Sequence, residues 1–245
     1  MFSRKQTALL LFTLFVVHFV SAKNLSAEKQ PPKKIKIVVV GDSTAASYKN
    51  PPKDRPDLTG WGQVLGEFFN DKTVIDNRAL SGRSSKSFIK EGRWKQALAQ
   101  KPDYVFIQFG HNDCPGKGDR YTNPKTDFQD YIRQYVQESQ KIGAQPILVT
   151  PMTRRNFQDG KIRTILRPYA EAMIKVAKEE KVPVIDLHAS SMALFNKLGD
   201  TGSADFSPSV SDRTHYSRKG ALAIAGLVVN EIPRAKPSLK KYLMP

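Results

Sequence analysis

Ile35-Lys36-Ile37-Val38-Val39-Val40-Gly41-Asp42-Ser43-Thr44 is the stretch that decides the fold class. A short β-branched run suits a strand buried on both faces, and such strands belong to parallel sheets covered by helices. The run stops at a glycine and three polar residues, which opens a loop at the carboxyl end of the strand. In open parallel sheets, sites are built at that end. Outward from this stretch, strand-like runs recur at residues 73–76, 104–109, 146–149 and 182–186. Helix-like stretches alternate with them at 61–69, 86–99, 128–142 and 166–180. A last helix is predicted over 217–231, where Ala221, Leu222, Ile224, Ala225 and Val228 recur at helical spacing. The alternation predicts an α/β chain, with one parallel five-stranded sheet between two helical layers.

Residues 1–22 read as an export leader. Arg4 and Lys5 precede an apolar run over 8–20, and Val20-Ser21-Ala22 supplies small residues before a cut. That run is shorter than the roughly 20 residues a membrane span needs. A secreted or periplasmic protein without stable membrane association is therefore expected. Residues 23–34, polar and carrying Pro31-Pro32, read as a linker. With the leader removed, the 245-residue chain is still long enough for one domain with a substantial core, expected over 35–245. Cys114 is the single cysteine, so no intrachain disulfide forms, and the lone thiol is read as a structural accident. The formal net charge is +16. Exported proteins rarely meet nucleic acid, so no such partner is expected. A positive field instead favours anionic ligands such as uronate polysaccharides, although solubility is the plainer use of the same charge. A monomer is expected.

Residues with chemistry to offer gather in the loops. Gly41-Asp42-Ser43-Thr44 follows the first strand, Ala79-Leu80-Ser81-Gly82-Arg83 the second, and Gly110-His111-Asn112-Asp113 the third. Asp212-Arg213-Thr214-His215 precedes the last helix. A serine hydroxyl needs a base to act as a nucleophile, and histidine is the usual one at neutral pH. Of the four histidines, His18 lies in the leader, leaving His111, His188 and His215. His215 has Asp212 three residues before it. On a helix-like turn that spacing shares a face, so the carboxylate can hold the imidazole. His188 follows Asp186 by two, with no evident serine partner. Acyl transfer also needs oxyanion donors, and the N–H of Ser43, the N–H of Gly82 and the Asn112 amide are candidates. A metal site from His111, Asp113, Asp212 and His215 lacks any short ligand motif such as H-E-x-x-H, so neither metal nor cofactor is expected. Asp42 is expected to brace its own loop, His111 to be structural, and Trp61 to pack between helix and sheet. Arg83, Lys86, Arg154, Arg155 and Arg213 lie in or near these loops and are candidates to receive substrate carboxylates. Ala45 stands where a G-x-S-x-G elbow has its second glycine, which argues against an ordinary α/β-hydrolase.

In order and spacing, these four blocks resemble those of the SGNH (GDSL-like) hydrolases. Gly41-Asp42-Ser43-Thr44, with Thr59-Gly60-Trp61-Gly62 and Phe109-Gly110-His111-Asn112-Asp113, is most similar to the rhamnogalacturonan acetylesterase branch. The resemblance implies a flavodoxin-like three-layer α/β/α fold. It implies Ser43, Asp212 and His215 as catalytic triad, and Ser43, Gly82 and Asn112 as oxyanion hole. It further implies a secreted serine esterase that removes acetyl groups from a plant cell-wall polysaccharide, rhamnogalacturonan first, through an acetyl-serine. Acetylxylan or another carbohydrate or short-chain acyl ester is the alternative substrate. A catalytically silent carbohydrate-binding protein is the alternative from another class. The lone cysteine departs from disulfide-stapled members, which are poor guides to the loops here.

Overall fold

The opening β-branched run forms β1 (Ile35–Gly41), an interior strand of a parallel sheet. β2 (Thr73–Asn77), β3 (Tyr104–Gln108), β4 (Gln145–Val149) and β7 (Val184–Ile185) complete it in the order β2-β1-β3-β4-β7, every pair parallel. β5 (Phe157–Gln158) and β6 (Lys161–Ile162) form a separate antiparallel ribbon. The helices are α1 (Trp61–Val64), α2 (Ser85–Lys90), α3 (Arg93–Leu98), α4 (Asp127–Lys141), α5 (Arg167–Glu179), α6 (Leu187–Gly202) and α7 (Arg218–Ala235). This computed structural model describes residues 33–245. The expected leader and residues 23–32 of the expected linker lie outside the described residues.

Strand alternation makes the layers. Ile37 and Val39 of β1 pack with α1, α6 and α7 through residues such as Trp61, Phe195, Ile224 and Val228. Val38 and Val40 point the other way, toward Phe88, Trp94, Tyr135 and Met173 of α2, α3, α4 and α5. The result is the three-layer α/β/α architecture with five parallel strands. From β1 the chain moves to β2 on one side, then crosses to β3 on the other. The crevice at such a reversal, beyond the carboxyl ends of β1 and β3, is where this class of sheet holds ligands.

Three local differences from the sequence expectation have plain causes. The single helix expected over 86–99 is two, because Gly92 takes a left-handed conformation (φ 69°) between α2 and α3. The fifth strand is shorter than 182–186, because Asp186 turns out to cap α6, accepting the Ala189 N–H at 3.1 Å. β5 and β6 are joined by Asp159-Gly160, both at positive φ, which suits a tight hairpin.

Candidate active site

β1 ends at Gly41 and the chain turns at once. The N–H groups of Ala45 and Ala46 donate to the Asp42 carbonyl at 3.2 and 3.1 Å. The buried Asp42 carboxylate accepts the Thr44 N–H at 2.9 Å and the Thr44 hydroxyl at 2.7 Å, so it braces this loop as expected. The turn is supported from behind by the residues 59–62. The Trp61 N–H donates to the Thr44 carbonyl at 3.0 Å, and its indole N–H to Gln108 Oε1 at 2.6 Å. Trp61 is fully buried and packs between helix and sheet. Gly60 has no room for a side chain, since a Cβ would stand 2.2 Å from the Ala46 carbonyl oxygen.

Ser43, at the apex of the turn, meets a residue 172 positions away: its Oγ lies 2.9 Å from His215 Nε2. His215 Nδ1 lies 2.9 Å from Asp212 Oδ2. With the Nδ1 proton given to the carboxylate, Nε2 presents its lone pair to the Ser43 hydroxyl. The Asp212–His215 contact does not come from a helix face. The Asp212 carboxylate folds back on its own backbone, with Oδ1 accepting the N–H groups of Thr214 and His215, each at 2.9 Å. This is an Asx turn, and it delivers the imidazole to the carboxylate. Burial alone would raise the Asp212 carboxyl, but the two backbone N–H groups and the nearby His215 ring outweigh it and hold the group at about 2. Arg55, which sequence reasoning missed, donates to Asp212 Oδ2 at 3.0 Å.

The loops after β2 and β3 bring the other candidates to the same crevice. Leu80 N–H donates to the Gly41 carbonyl at 3.0 Å, tying the Gly82 loop to the end of β1. Gly82 sits at φ 79°, a left-handed conformation that favours glycine. Among the described residues, neither the Ser43 N–H nor the Gly82 N–H donates to a protein acceptor. The Asn112 amide is fixed on two sides, donating to the Arg83 carbonyl at 3.1 Å and accepting from Arg120 Nη1 at 3.4 Å. The arrangement can activate a hydroxyl and offer N–H donors to a developing oxyanion.

The remaining histidines serve the scaffold. His111 is buried with Nδ1 3.3 Å from Asp42 Oδ2. Burial would raise Asp42, but His111 and the Thr44 hydrogen bonds lower it overall. His188 Nδ1 faces the Pro151 carbonyl at 3.0 Å, and burial pushes this imidazole down. Asp186, two residues before it, accepts the Thr150 hydroxyl at 3.0 Å. Asp113 is buried among donors from Ser85, Thr122 and Gly110, and burial nonetheless pushes its carboxyl up to about 7. Cys114 is buried and donates to the His111 carbonyl at 3.2 Å. Among the described residues, no three His, Cys, Asp or Glu side chains gather as metal ligands.

The arginines divide. Arg155 differs from the expectation: it is 2% exposed, with its guanidinium spent on Ser203, Ser207 and the backbone carbonyl and one carboxylate oxygen of Asp200, so it anchors the 200–207 segment. Arg83 is paired with Glu91 at 3.0 Å, Arg213 is paired with Asp200, and Lys86 donates to the Tyr121 carbonyl at 2.8 Å. Arg154 donates to the His111 carbonyl at 3.1 Å and makes no ion pair among the described residues. It lines a cleft of about 440 Å³ together with Arg55, Asn156, Arg213 and His215.

Known proteins share this pattern. The sequence model of the GDSL-like Lipase/Acylhydrolase family matches residues 39–223. The chain is 37% identical over 202 residues to the probable rhamnogalacturonan acetylesterase YesY of Bacillus subtilis, covering 80% of this chain and 91% of that protein. It is 36% identical over 228 residues to the rhamnogalacturonan acetylesterase RhgT of the same organism, covering 86% and 95%. A crystal structure of the Bacillus subtilis protein YxiM superposes with a TM-score of 0.73 at 28% identity, covering 87% of this chain and 59% of that one. The acetylxylan esterase Axe2 of Geobacillus stearothermophilus shares the fold, with a TM-score of 0.62 at 21% identity over 83% of this chain and 94% of that one. The family match takes in both the Ser43 turn and His215, and two relatives above 30% identity run nearly the length of both partners. The chain therefore belongs to the GDSL-like lipase/acylhydrolase family and is a carboxylic ester hydrolase.

Proposed function

We propose that this chain is an exported serine esterase that removes acetyl groups from an acidic plant cell-wall polysaccharide, rhamnogalacturonan first. The observation that carries the reading is the contact of Ser43 Oγ with His215 Nε2 at 2.9 Å, backed by Asp212 on Nδ1 at 2.9 Å. Ser43 attacks the acetyl carbonyl while His215 takes its proton. The oxyanion forms against the N–H groups of Ser43 and Gly82 and the amide of Asn112. His215 returns the proton to the departing sugar oxygen, leaving acetyl-serine. Water, deprotonated by His215, then releases acetate and restores the hydroxyl. Backbone N–H groups, side chains and water carry every step.

The choice of polymer rests on two supports. Relatives named rhamnogalacturonan acetylesterases are 36% and 37% identical. The chain carries a net charge of +16, and Arg55, Arg154 and Arg213 line the cleft beside His215. Acetylxylan is the second substrate to test, because a relative named acetylxylan esterase in Xylanibacter ruminicola is 25% identical over 193 residues. On this reading residues 1–22 direct export and 35–245 act as one soluble, monomeric hydrolase domain. The test is acetate release from acetylated rhamnogalacturonan and acetylxylan by the wild type and by Ser43→Ala. The wild type should prefer the acidic polymer, and Ser43→Ala should lose at least about 10³-fold in rate while remaining folded. Full activity in Ser43→Ala would end the reading, and a binding protein without activity would show it in the wild type.

A further inference from the structure

We infer that Arg120 is a positioning residue that orients and polarises the Asn112 amide as an oxyanion donor, an inference that rests on the acyl-transfer reading of this site. The two ends of a carboxamide have nearly the same shape, so its neighbours decide which end faces the substrate. Here the neighbours leave one choice. A guanidinium only donates, and Arg120 Nη1 lies 3.4 Å from Asn112 Oδ1. A backbone carbonyl only accepts, and that of Arg83 lies 3.1 Å from Asn112 Nδ2. Flipping the amide would set NH₂ against guanidinium and carbonyl against carbonyl. One Nδ2 hydrogen is used on Arg83, and the other remains for the oxyanion.

Arg120 reaches the second donor as well. The same Nη1 donates to the Gly82 carbonyl at 3.0 Å, and it stands 3.6 Å from where a Gly82 Cβ would lie. One nitrogen thus fixes both residues whose N–H groups complete the oxyanion site. Arg120 makes no ion pair among the described residues, so no carboxylate cancels its charge there. Its segment is held in place, since Lys86 donates to the Tyr121 carbonyl at 2.8 Å and Thr122 bonds Asp113 at 2.9 Å. A fixed cation behind an amide donor strengthens that donor most when negative charge develops in front of it.

The consequence is a loss in kcat with KM held, because the effect is realised in the transition state. Hydrolysis of p-nitrophenyl acetate, a neutral ester, keeps any polymer-binding role of the cation out of the measurement. Arg120→Met is expected to lower kcat about 10- to 100-fold, less than the 10²–10³-fold loss of a direct oxyanion donor, and to leave KM within about twofold. Arg120→Lys should recover part of the loss, having the charge but not the fork. In an Asn112→Ala background the Arg120→Met penalty should shrink to about threefold or less. Unchanged kcat in Arg120→Met, or the same penalty with and without Asn112, would overturn the inference. If Arg120→Met does not fold by circular dichroism, Arg120→Gln takes its place in the same cycle. An active Ser43→Ala would strike the acyl-transfer reading itself; an inactive one with independent Arg120 and Asn112 effects strikes only the role of Arg120.

Discussion

Replacing Asp212 by asparagine should inactivate the enzyme through the tautomer of His215 rather than through any change of shape. Asp212 Oδ1 accepts two backbone N–H groups at 2.9 Å, so the asparagine carbonyl must take that place. The NH₂ group then occupies the position of Oδ2, which now receives His215 Nδ1 at 2.9 Å. An amide donor there makes Nδ1 the acceptor and moves the ring proton to Nε2, where it faces the Ser43 hydroxyl. That imidazole cannot accept the serine proton. Wrong-tautomer losses in Ser-His-Asp triads are about 10⁴ in kcat, or about 5 kcal/mol of transition-state stabilisation. Arg55, 3.0 Å from Oδ2, would also face NH₂ and lose its acceptor. Steady-state hydrolysis of p-nitrophenyl acetate by Asp212→Asn and Asp212→Ala measures this directly. Asp212→Asn should be the more impaired, because alanine leaves the ring free to choose its tautomer. A kcat within about tenfold of wild type in Asp212→Asn would refute the reasoning.

Further outcomes follow from the same coordinates. The Asp212 carboxyl is held at about 2, below its ordinary 3.8. Its contribution of about 2 kcal/mol to folding should be present above pH 4 and lost as pH falls through 2, because the unfolded chain takes up that proton first. Urea unfolding across this range should show a loss larger by about that amount in the wild type than in Asp212→Asn, since Asp42 is also held low and is shared by both. Gly60→Ala forces a Cβ to within 2.2 Å of the Ala46 carbonyl oxygen, so the Ser43 turn must shift. It should cost about 2 kcal/mol in urea melts and lower kcat as well. Arg155→Met removes a 2%-exposed guanidinium from Ser203, Ser207 and Asp200, and should cost about 3 kcal/mol in the same assay. On the proposed reading, its KM for acetylated rhamnogalacturonan should stay near wild type, since this side chain is buried among protein groups.

What the sequence disclosed depended on locality. β1 was legible because five β-branched apolar residues, interrupted only by Lys36, end at a glycine, and the turn that follows is made by its own backbone. Asp212 and His215 were legible because three positions separate them, although the contact arises from an Asx turn and not from a helix face. α6 was not foreseen, since its apolar positions are interrupted by His188, Ser191 and Asn196 and its end is kinked at Gly199. Arg154 and Arg155 are neighbours with the same chemistry, yet one lines the cleft and the other is buried, a difference set by what packs around each. Arg55 and Arg120 gave no signal at all. Arg55 meets a partner 157 positions away, and Arg120 meets one 38 away; no pattern along the chain marks either.

The Asx turn at Asp212 has a wider consequence. One short segment supplies the carboxylate, the imidazole and two of the N–H groups that hold the carboxylate, while Arg55 adds a donor from outside it at 3.0 Å. The rest of the fold docks this segment through the Arg155 N–H on the Arg213 carbonyl at 2.7 Å, the bridge between Thr59 and Tyr216 and the pair of Arg213 with Asp200. The chain between α6 and this segment is held by other contacts, with Arg155 on Ser203 and Ser207 and the Ser217 hydroxyl on the Asp205 carbonyl at 2.7 Å. The wall of the cleft and the acid–base pair beside it therefore rest largely on different sets of contacts.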